Sequence, residues 1–535
     1  MDNLAEVLAR LDRFIPRKMA AAQTPGQALA LTGADRLPAV RAYGYANLAA
    51  HTPVTPETLF EIGSQGKTFT AIAVLQQVEA GRIDLDAPVT RYLPWFSVPS
   101  VYGPMTIHHL LSHTAGIIAG TEFATAGPAE VWALRETWTG FAPGAHFHYS
   151  DVGYKILGLV LERVLGRPYG DIIAEHILAP LGMSDTVPVL THALRPRLAA
   201  GYAPLYDDRP MQRTHPLVPA AWVETDTADG SLASTVGDMA AFLRMLIRRG
   251  AAPQGRILSP ASFDLLTRPV IEMADGLFYG YGIISSRTAG FLRLQHGGDM
   301  PGYESSWRID AENGLGVAVL MNGPVSAGVA DFALKLLRAA YAGQDWPPDP
   351  PLPDPLQVAD AAEYAGVYRL GDRTLTLHAE DESLTLEQDG TRVPLAQQDD
   401  DWFYADHPDW DRFPLTFARE GDTAVAAIWG GDYYRRAGHP APPVPAPPAA
   451  WAAYPGHYRS HNPWRSNFRV VLRQGALRLI EPSGDEEPLT ELADGLFRVG
   501  AAGYSPERLR FDAIIEAQAL RANYSGCDYY RFFTP

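Results

Sequence analysis

One cysteine, Cys527, and four lysines, Lys18, Lys67, Lys155 and Lys335, are all that this 535-residue chain holds of either type. A single thiol excludes an internal disulfide and leaves a zinc–thiolate centre without ligands. A formal net charge of −17 removes the broad basic face that nucleic acid or an anionic membrane surface would need. No stretch approaches 18 uninterrupted apolar residues, so no membrane span is expected. MDNLAEVLARLDRFIPRK, at the start of the chain, is charged throughout and lacks the apolar run of a secretory leader. These absences predict a cytoplasmic protein that works without metal or cofactor, with neither nucleic acid nor membrane as a partner.

What is present is ordinary globular composition, 47% apolar and 20% charged, over a length that calls for several domains. Leu4, Val7, Leu8, Leu11, Phe14 and Ile15 recur at helical spacing and predict an amphipathic helix over 3–20, which Pro16 would end or kink. GQALALTG and RAYGYANLA read as strands. Residues 278–323 (FYGYGIIS, FLRLQHGG, ESSWRID, LGVAVLMN) read as antiparallel sheet, with one turn at 288–290. Helices are expected at 106–112 with Gly116 as C-cap, after Tyr149, at 235–249 with Asp238 in the first turn, and over VADFALKLLRAAYAG. One antiparallel sheet with flanking helices and an inserted helical portion makes residues 1–345 an α+β domain.

Proline-rich spacers at 346–356 and 439–450 bound two segments, 357–438 and 451–535, that resemble each other. EYAGVYR matches AYPGHYR, and GGDYYRR matches GCDYYRF, a strand-rich repeat of roughly 90 residues. It predicts two copies of a small all-β barrel. Trp402, Trp410, Trp429 and Trp464 are expected in the barrel cores rather than in a ligand site.

The chemistry starts in FEIGSQGKTFTAIAVLQQ. If this stretch opens a helix, Ser64 and Lys67 share a face, and hydroxyl and amine can touch. A serine hydroxyl needs a base to become a nucleophile at neutral pH, and a buried lysine can be one. Arginine cannot, and only Lys67 among the four lysines has a serine three positions before it. Two further elements follow in order, Tyr149-Ser150-Asp151 and His296-Gly297-Gly298, flanked by LLSHTAG and GSLAST. His113, in HTAG, is expected to fix its loop by hydrogen bonding. His146 and His148 fall on one face of an expected strand, without a third ligand for a metal.

This ordered set resembles the serine β-lactamase and penicillin-binding protein superfamily, class C-like branch, over about residues 5–342. The layout with two tail domains resembles bacterial D-aminopeptidases, and the resemblance implies lipocalin-like barrels. It implies Ser64 as the acylating nucleophile and Lys67 with Tyr149 as the proton-handling pair. A charged Lys67 would lower the Tyr149 phenol toward a phenolate base. The implied oxyanion donors are the backbone N–H groups of Ser64 and Asp299, with Gly297 and Gly298 letting substrate backbone lie along an edge strand.

Two residues depart from the pattern. Asp151 stands where asparagine is usual, and its carboxylate can pair with Lys67 or with a substrate ammonium. His296 replaces the lysine of penicillin-recognising enzymes, which weakens the grip on a substrate carboxylate. It is either a catalytic group or a hydrogen-bonded structural histidine. In the tail, SHNPWRSNF offers Trp464 and Arg465 as a gate that limits substrate size, the alternative being a scaffold role or a homodimer contact. The expected function is a serine hydrolase acting on small amides, short peptides or esters, best an aminopeptidase or amidase with D-amino acid preference. An esterase, an acyl transferase and a binding module without turnover are the alternatives.

Overall fold

GQALALTG and LGVAVLM are apolar at nearly every position, which is what strands covered on both faces require. The computed structural model describes residues 3–120, 127–288, 290–325, 327–352, 354–440 and 443–532, and in it these two runs pair inside a nine-stranded antiparallel sheet. In chain order its strands are β1 Gly26–Gly33, β2 Arg36–Asn47, β3 Thr52–Pro53, β4 Ile271–Ala274, β5 Leu277–Tyr279, β6 Ile284–Thr288, β7 Phe291–Met300, β8 Tyr303–Asp310 and β9 Leu315–Met321. Their spatial order is β4-β5-β6-β7-β8-β9-β1-β2-β3. Helices α1 Asn3–Ala22, α2 Gly66–Glu79, α3 Ile107–Leu111, α4 Asp151–Leu165, α5 Val236–Ile247 and α6 Val329–Tyr341 complete the frame of this unit.

Every residue of β1 is buried. Ala28, Ala30, Ala318 and Leu320 face one way, into a core shared with Phe242 and Leu243 of α5 and Phe69 and Ile72 of α2. Phe69 and Phe242 stack there with centroids 4.0 Å apart. α1 and α6 pack on each other over the opposite face, Phe14 meeting Phe332 at 4.8 Å. That packing explains why Pro16 does not end α1. The proline lies on the exposed side, and buried Val7, Leu11, Phe14, Ile15 and Met19 hold the helix together past it.

α3 also ends differently from expectation. Its C-cap is Ser112, and His113 takes up the left-handed conformation at φ +55°. Gly116, at φ +75°, serves a close approach instead, because a Cβ there would lie 2.6 Å from the Phe141 carbonyl oxygen. Residues 146–149 form no strand, so His146 and His148 have no shared strand face.

The second compact unit holds residues 204–217 and 351–535. It contains two closed eight-stranded antiparallel barrels, each filled by its own apolar core. The repeated sequence marks the seam that closes each barrel, where Tyr368 pairs with Arg436 and Tyr458 with Arg531. Both tyrosines are fully buried, donating to the carbonyl oxygen four residues back at 2.8 and 2.7 Å, with the partner arginine over the ring. The repeated glycine makes room for that arginine. A Cβ on Gly456 would lie 2.4 Å from Arg531 Nη1.

Trp410 is in the first barrel core and Trp429 packs against it, whereas Trp402 is half-buried and Trp464 is 41% exposed. Residues 204–217 are tied in by ion pairs, Arg209 to Asp411 at 2.9 Å and Asp208 to Arg469 at 2.8 Å, with Asp207 bonded to Arg459. Pro353 and residues 441–442 of the proline-rich spacers, and Ala289 of the expected 288–290 turn, lie outside the described residues. No helix among the described residues is long and apolar enough to cross a membrane.

Candidate active site

The strand Phe60–Glu61 pairs with Ala233–Ser234 and delivers the chain into a 3₁₀ turn, Gly63–Gln65, that runs straight into α2. Throughout residues 59–75 Ser64 alone is not buried. The apolar sequence thus buries the turn and leaves one hydroxyl open. Gly63 permits the geometry at φ +51°, and a Cβ on it would lie 2.7 Å from Asp299 N. Glu61, just upstream, is 3% exposed, and burial pushes its carboxyl up to about 8. A carboxyl raised on folding leaves stability intact below its unfolded value and removes it as the pH rises through 8. Glu61→Gln is therefore expected to gain about 3–5 kcal/mol over wild type between pH 5 and pH 9, read as a growing difference in thermal midpoint.

Lys67 is fully buried and its Nζ has three acceptors: Ser64 Oγ at 2.9 Å, the Asp229 carbonyl oxygen at 2.8 Å and Asp151 Oδ1 at 2.5 Å. Three acceptors match the three donors of an ammonium. Burial pulls the lysine pKa down, but Asp151, then Tyr149 and Asp229, more than reverse this and leave it above the ordinary value. Of the two partners open to Asp151 in the sequence, the geometry gives it Lys67. Asp151 is the first residue of α4, where the helix dipole favours a carboxylate. Ser150 caps the helix, accepting from Gly153 N at 3.1 Å and donating to the Ile118 carbonyl at 2.7 Å.

Tyr149 lies beside the cap, its ring centroid 5.0 Å from Lys67 Nζ. Burial raises the Tyr149 phenol, Lys67 pulls it down, and the net shift is upward, so the resting residue is a phenol rather than a phenolate. That departs from expectation because burial outweighs the ammonium. His113 is hydrogen-bonded, as expected for a loop-fixing residue, and its ring also packs against that of Tyr149, tilted by 34° with centroids 4.2 Å apart.

β7 lies between β6 and β8, so it is not an edge strand. Its pairing with β6 stops at Gln295, however, and among the described residues His296–Met300 pair only with β8. Gly298 is needed by the protein itself: a Cβ there would sit 1.9 Å from the Ile62 carbonyl oxygen, whereas one on Gly297 would meet nothing closer than 3.6 Å. Asp299 is exposed at the strand end, opposite Glu304. Partial desolvation of its carboxyl and then the Asp151 charge push it up to about 6.

His296, expected among the catalytic groups, is 3% exposed with both ring nitrogens engaged internally, so its part in the site is indirect. The geometry thus brings Ser64, Lys67, Tyr149, Asp151 and the backbone of Asp299 together. In the second unit, Arg465 pairs with Glu481 at 3.1 Å and stacks over Tyr524, while Trp464 stands open. Sequence reasoning missed the Asp229 carbonyl, which carries no side-chain signal, and Tyr279, which reads as an ordinary strand tyrosine. Among the described residues no group of three or more His, Cys, Asp or Glu could hold a metal ion.

A family model described as Beta-lactamase matches residues 11–342. Penicillin-binding protein 4 of Amycolatopsis lactamdurans is 30% identical over 368 residues, which cover 64% of this chain and 93% of that protein. A D-aminopeptidase of Brucella ovis is 26% identical over 419 residues, 72% of this chain and 76% of the relative. Among solved structures, the octameric penicillin-binding protein homologue from Pyrococcus abyssi superposes with a TM-score of 0.59 at 27% identity, covering 80% of this chain and 99% of its own.

Proposed function

The chain belongs to the beta-lactamase family and is a serine hydrolase, and from that premise we propose that it cleaves small amides or short peptides through an acyl-enzyme on Ser64. The observation that carries this reading is the one open hydroxyl in a buried turn, 2.9 Å from the Lys67 amine. In the proposed reaction the reactive enzyme is the fraction in which the Lys67–Tyr149 pair has lost one proton, a form that rising pH favours, and the Ser64 proton passes to that pair as Oγ bonds to the substrate carbonyl carbon. The N–H groups of Ser64 and Asp299 meet the oxygen as it becomes negative, and such donors are worth about 10²–10³ in rate each. The leaving amine departs with the proton that the pair had taken as the carbon–nitrogen bond breaks. Water then attacks the ester carbonyl and gives its proton to the pair, which returns it to Ser64 Oγ as the Oγ–carbon bond breaks and the acid leaves.

Preference for an aminopeptidase or amidase substrate rests on charge, and the D-configuration on the likeness to the Brucella D-aminopeptidase. Asp151 is occupied by Lys67, but Asp299 is open beside the nucleophile with Glu304 opposite, and a substrate ammonium suits that end of β7. The test is intact-mass analysis with a fluorophosphonate probe on wild type and Ser64→Ala, followed by D- and L-amino acid anilides and short-chain esters. A single adduct missing from Ser64→Ala and fastest turnover of a D-anilide are expected. Faster ester cleavage would replace the peptidase reading with an esterase, and no adduct on folded protein would reject Ser64 as nucleophile.

A further inference from the structure

Behind Tyr149 three side chains form a chain whose donors and acceptors can be assigned one by one. The Ser150 backbone N–H donates to His113 Nδ1 at 3.0 Å, so that nitrogen carries no proton. A neutral His113 then has its proton on Nε2, which lies 3.2 Å from the Tyr279 hydroxyl. At the other end, His296 Nδ1 is 2.6 Å from the Gly297 carbonyl oxygen, which can only accept, so the proton of His296 is on Nδ1. His296 Nε2 is left as an acceptor, and the Tyr279 hydroxyl is 3.2 Å away to donate to it. One polarity serves these atoms: Ser150 N–H to His113, His113 to Tyr279, Tyr279 to His296, His296 to the Gly297 carbonyl. The Tyr154 hydroxyl, also beside Tyr279, gives its own proton to the Leu111 carbonyl at 2.7 Å and so leaves the Tyr279 proton for His296.

We infer that Tyr279 is a positioning residue of the hydrolase, holding Tyr149 and the proposed oxyanion strand in one register through two histidines fixed in opposite tautomers. The two ends of the chain are the backbone next to Tyr149 and the backbone of β7 just before Gly298 and Asp299. Tyr279 is fully buried and its ring also lies 6.2 Å from that of Tyr149. The charged and titratable groups facing the chain are Lys67, Arg308, His148, Tyr149, Tyr154 and Asp151. Burial, with Lys67 nearby, holds both histidines below their ordinary value, His296 at about 4, so both rings are neutral through the working range. A proton on either ring would turn an acceptor into a donor and break the polarity.

The inference rests on the proposed roles of Ser64 and Tyr149, and two measurements separate its failure from theirs. Long-range proton–nitrogen spectra of the full chain labelled with ¹⁵N-histidine, assigned through His113→Gln and His296→Gln, read the tautomers directly. His113 is expected protonated on Nε2 and His296 on Nδ1, and the same tautomer on both would overturn the inference whether or not Ser64 reacts. Tyr279→Phe should acylate Ser64 about 10–100-fold more slowly, with half-saturating probe concentration unchanged, because a misplaced base costs rate rather than binding. A folded Tyr279→Phe that reacts at the wild-type rate would also overturn it. If that variant does not fold, the wild-type tautomers decide. Wild type that never acylates would remove the proposed chemistry and leave the tautomer assignment to stand or fall alone.

Discussion

Gly298→Ala is expected to slow acylation of Ser64 by about 10²–10³, the loss that follows when an oxyanion donor is displaced. The new methyl carbon would have to occupy a point 1.9 Å from the Ile62 carbonyl oxygen and 2.6 Å from Ser305 Oγ. Neither neighbour can yield cheaply. Ile62 is held by its own N–H on the Leu232 carbonyl at 3.0 Å, and its oxygen accepts from Ser305 Oγ at 2.8 Å. The backbone of β7 must therefore move off the turn that carries Ser64, and Asp299 N moves with it. Gly297→Ala is the discriminating control, since its methyl would find the nearest atom at 3.6 Å. Should the glycines exist only to admit substrate backbone, Gly297→Ala would raise KM and Gly298→Ala would do no more. Stopped-flow acylation with half-saturation measured for both variants separates the two accounts.

That contrast also marks how far the sequence could be read. Periodicity and apolar runs were enough for the antiparallel strands β7–β9 and for α5 and α6, and the roughly 90-residue repeat for the two barrels, because burial of a face leaves a pattern in the residues themselves. The spacing of Ser64 and Lys67 was legible for the same reason, since a helix turns i and i+3 to one side. What was not legible depends on partners distant in the chain. Gly298 looked like a place for substrate, and only its distance to Ile62, more than two hundred residues upstream, reveals an internal contact. Pro16 looked like a stop signal, yet the buried face of α1 overrides a local preference. The protonation states were the least accessible: Tyr149 was expected to be depressed by Lys67, and burial, which sequence does not report at single-residue precision, wins. Tyr279 carried no motif at all.

Asp151→Asn, which restores the residue usual in this family, is expected to shift the pH dependence of acylation toward neutrality and raise the rate at pH 7 about tenfold for each pKa unit released. The Ser64 proton needs an acceptor that has already lost its own, and both candidates hold theirs tightly. Lys67 sits above the ordinary lysine value despite burial because Asp151 leads the charges around it, and Tyr149 sits above the ordinary tyrosine value through burial, with Asp151 adding to the effect. The wild-type rate should consequently climb with pH well past neutrality. Removing the Asp151 carboxylate takes away a contribution of the same sign from both groups, so both pKa values fall and the rising limb moves to lower pH. Asparagine keeps an oxygen for the Lys67 contact at 2.5 Å, so geometry is not the variable being changed. A pH–rate profile of acylation from pH 6 to 10 on both proteins reads the shift. If the variant is instead slower at every pH with its limb unmoved, the carboxylate itself accepts the Lys67 proton, and the departure at Asp151 is a working part of the relay rather than a brake on it.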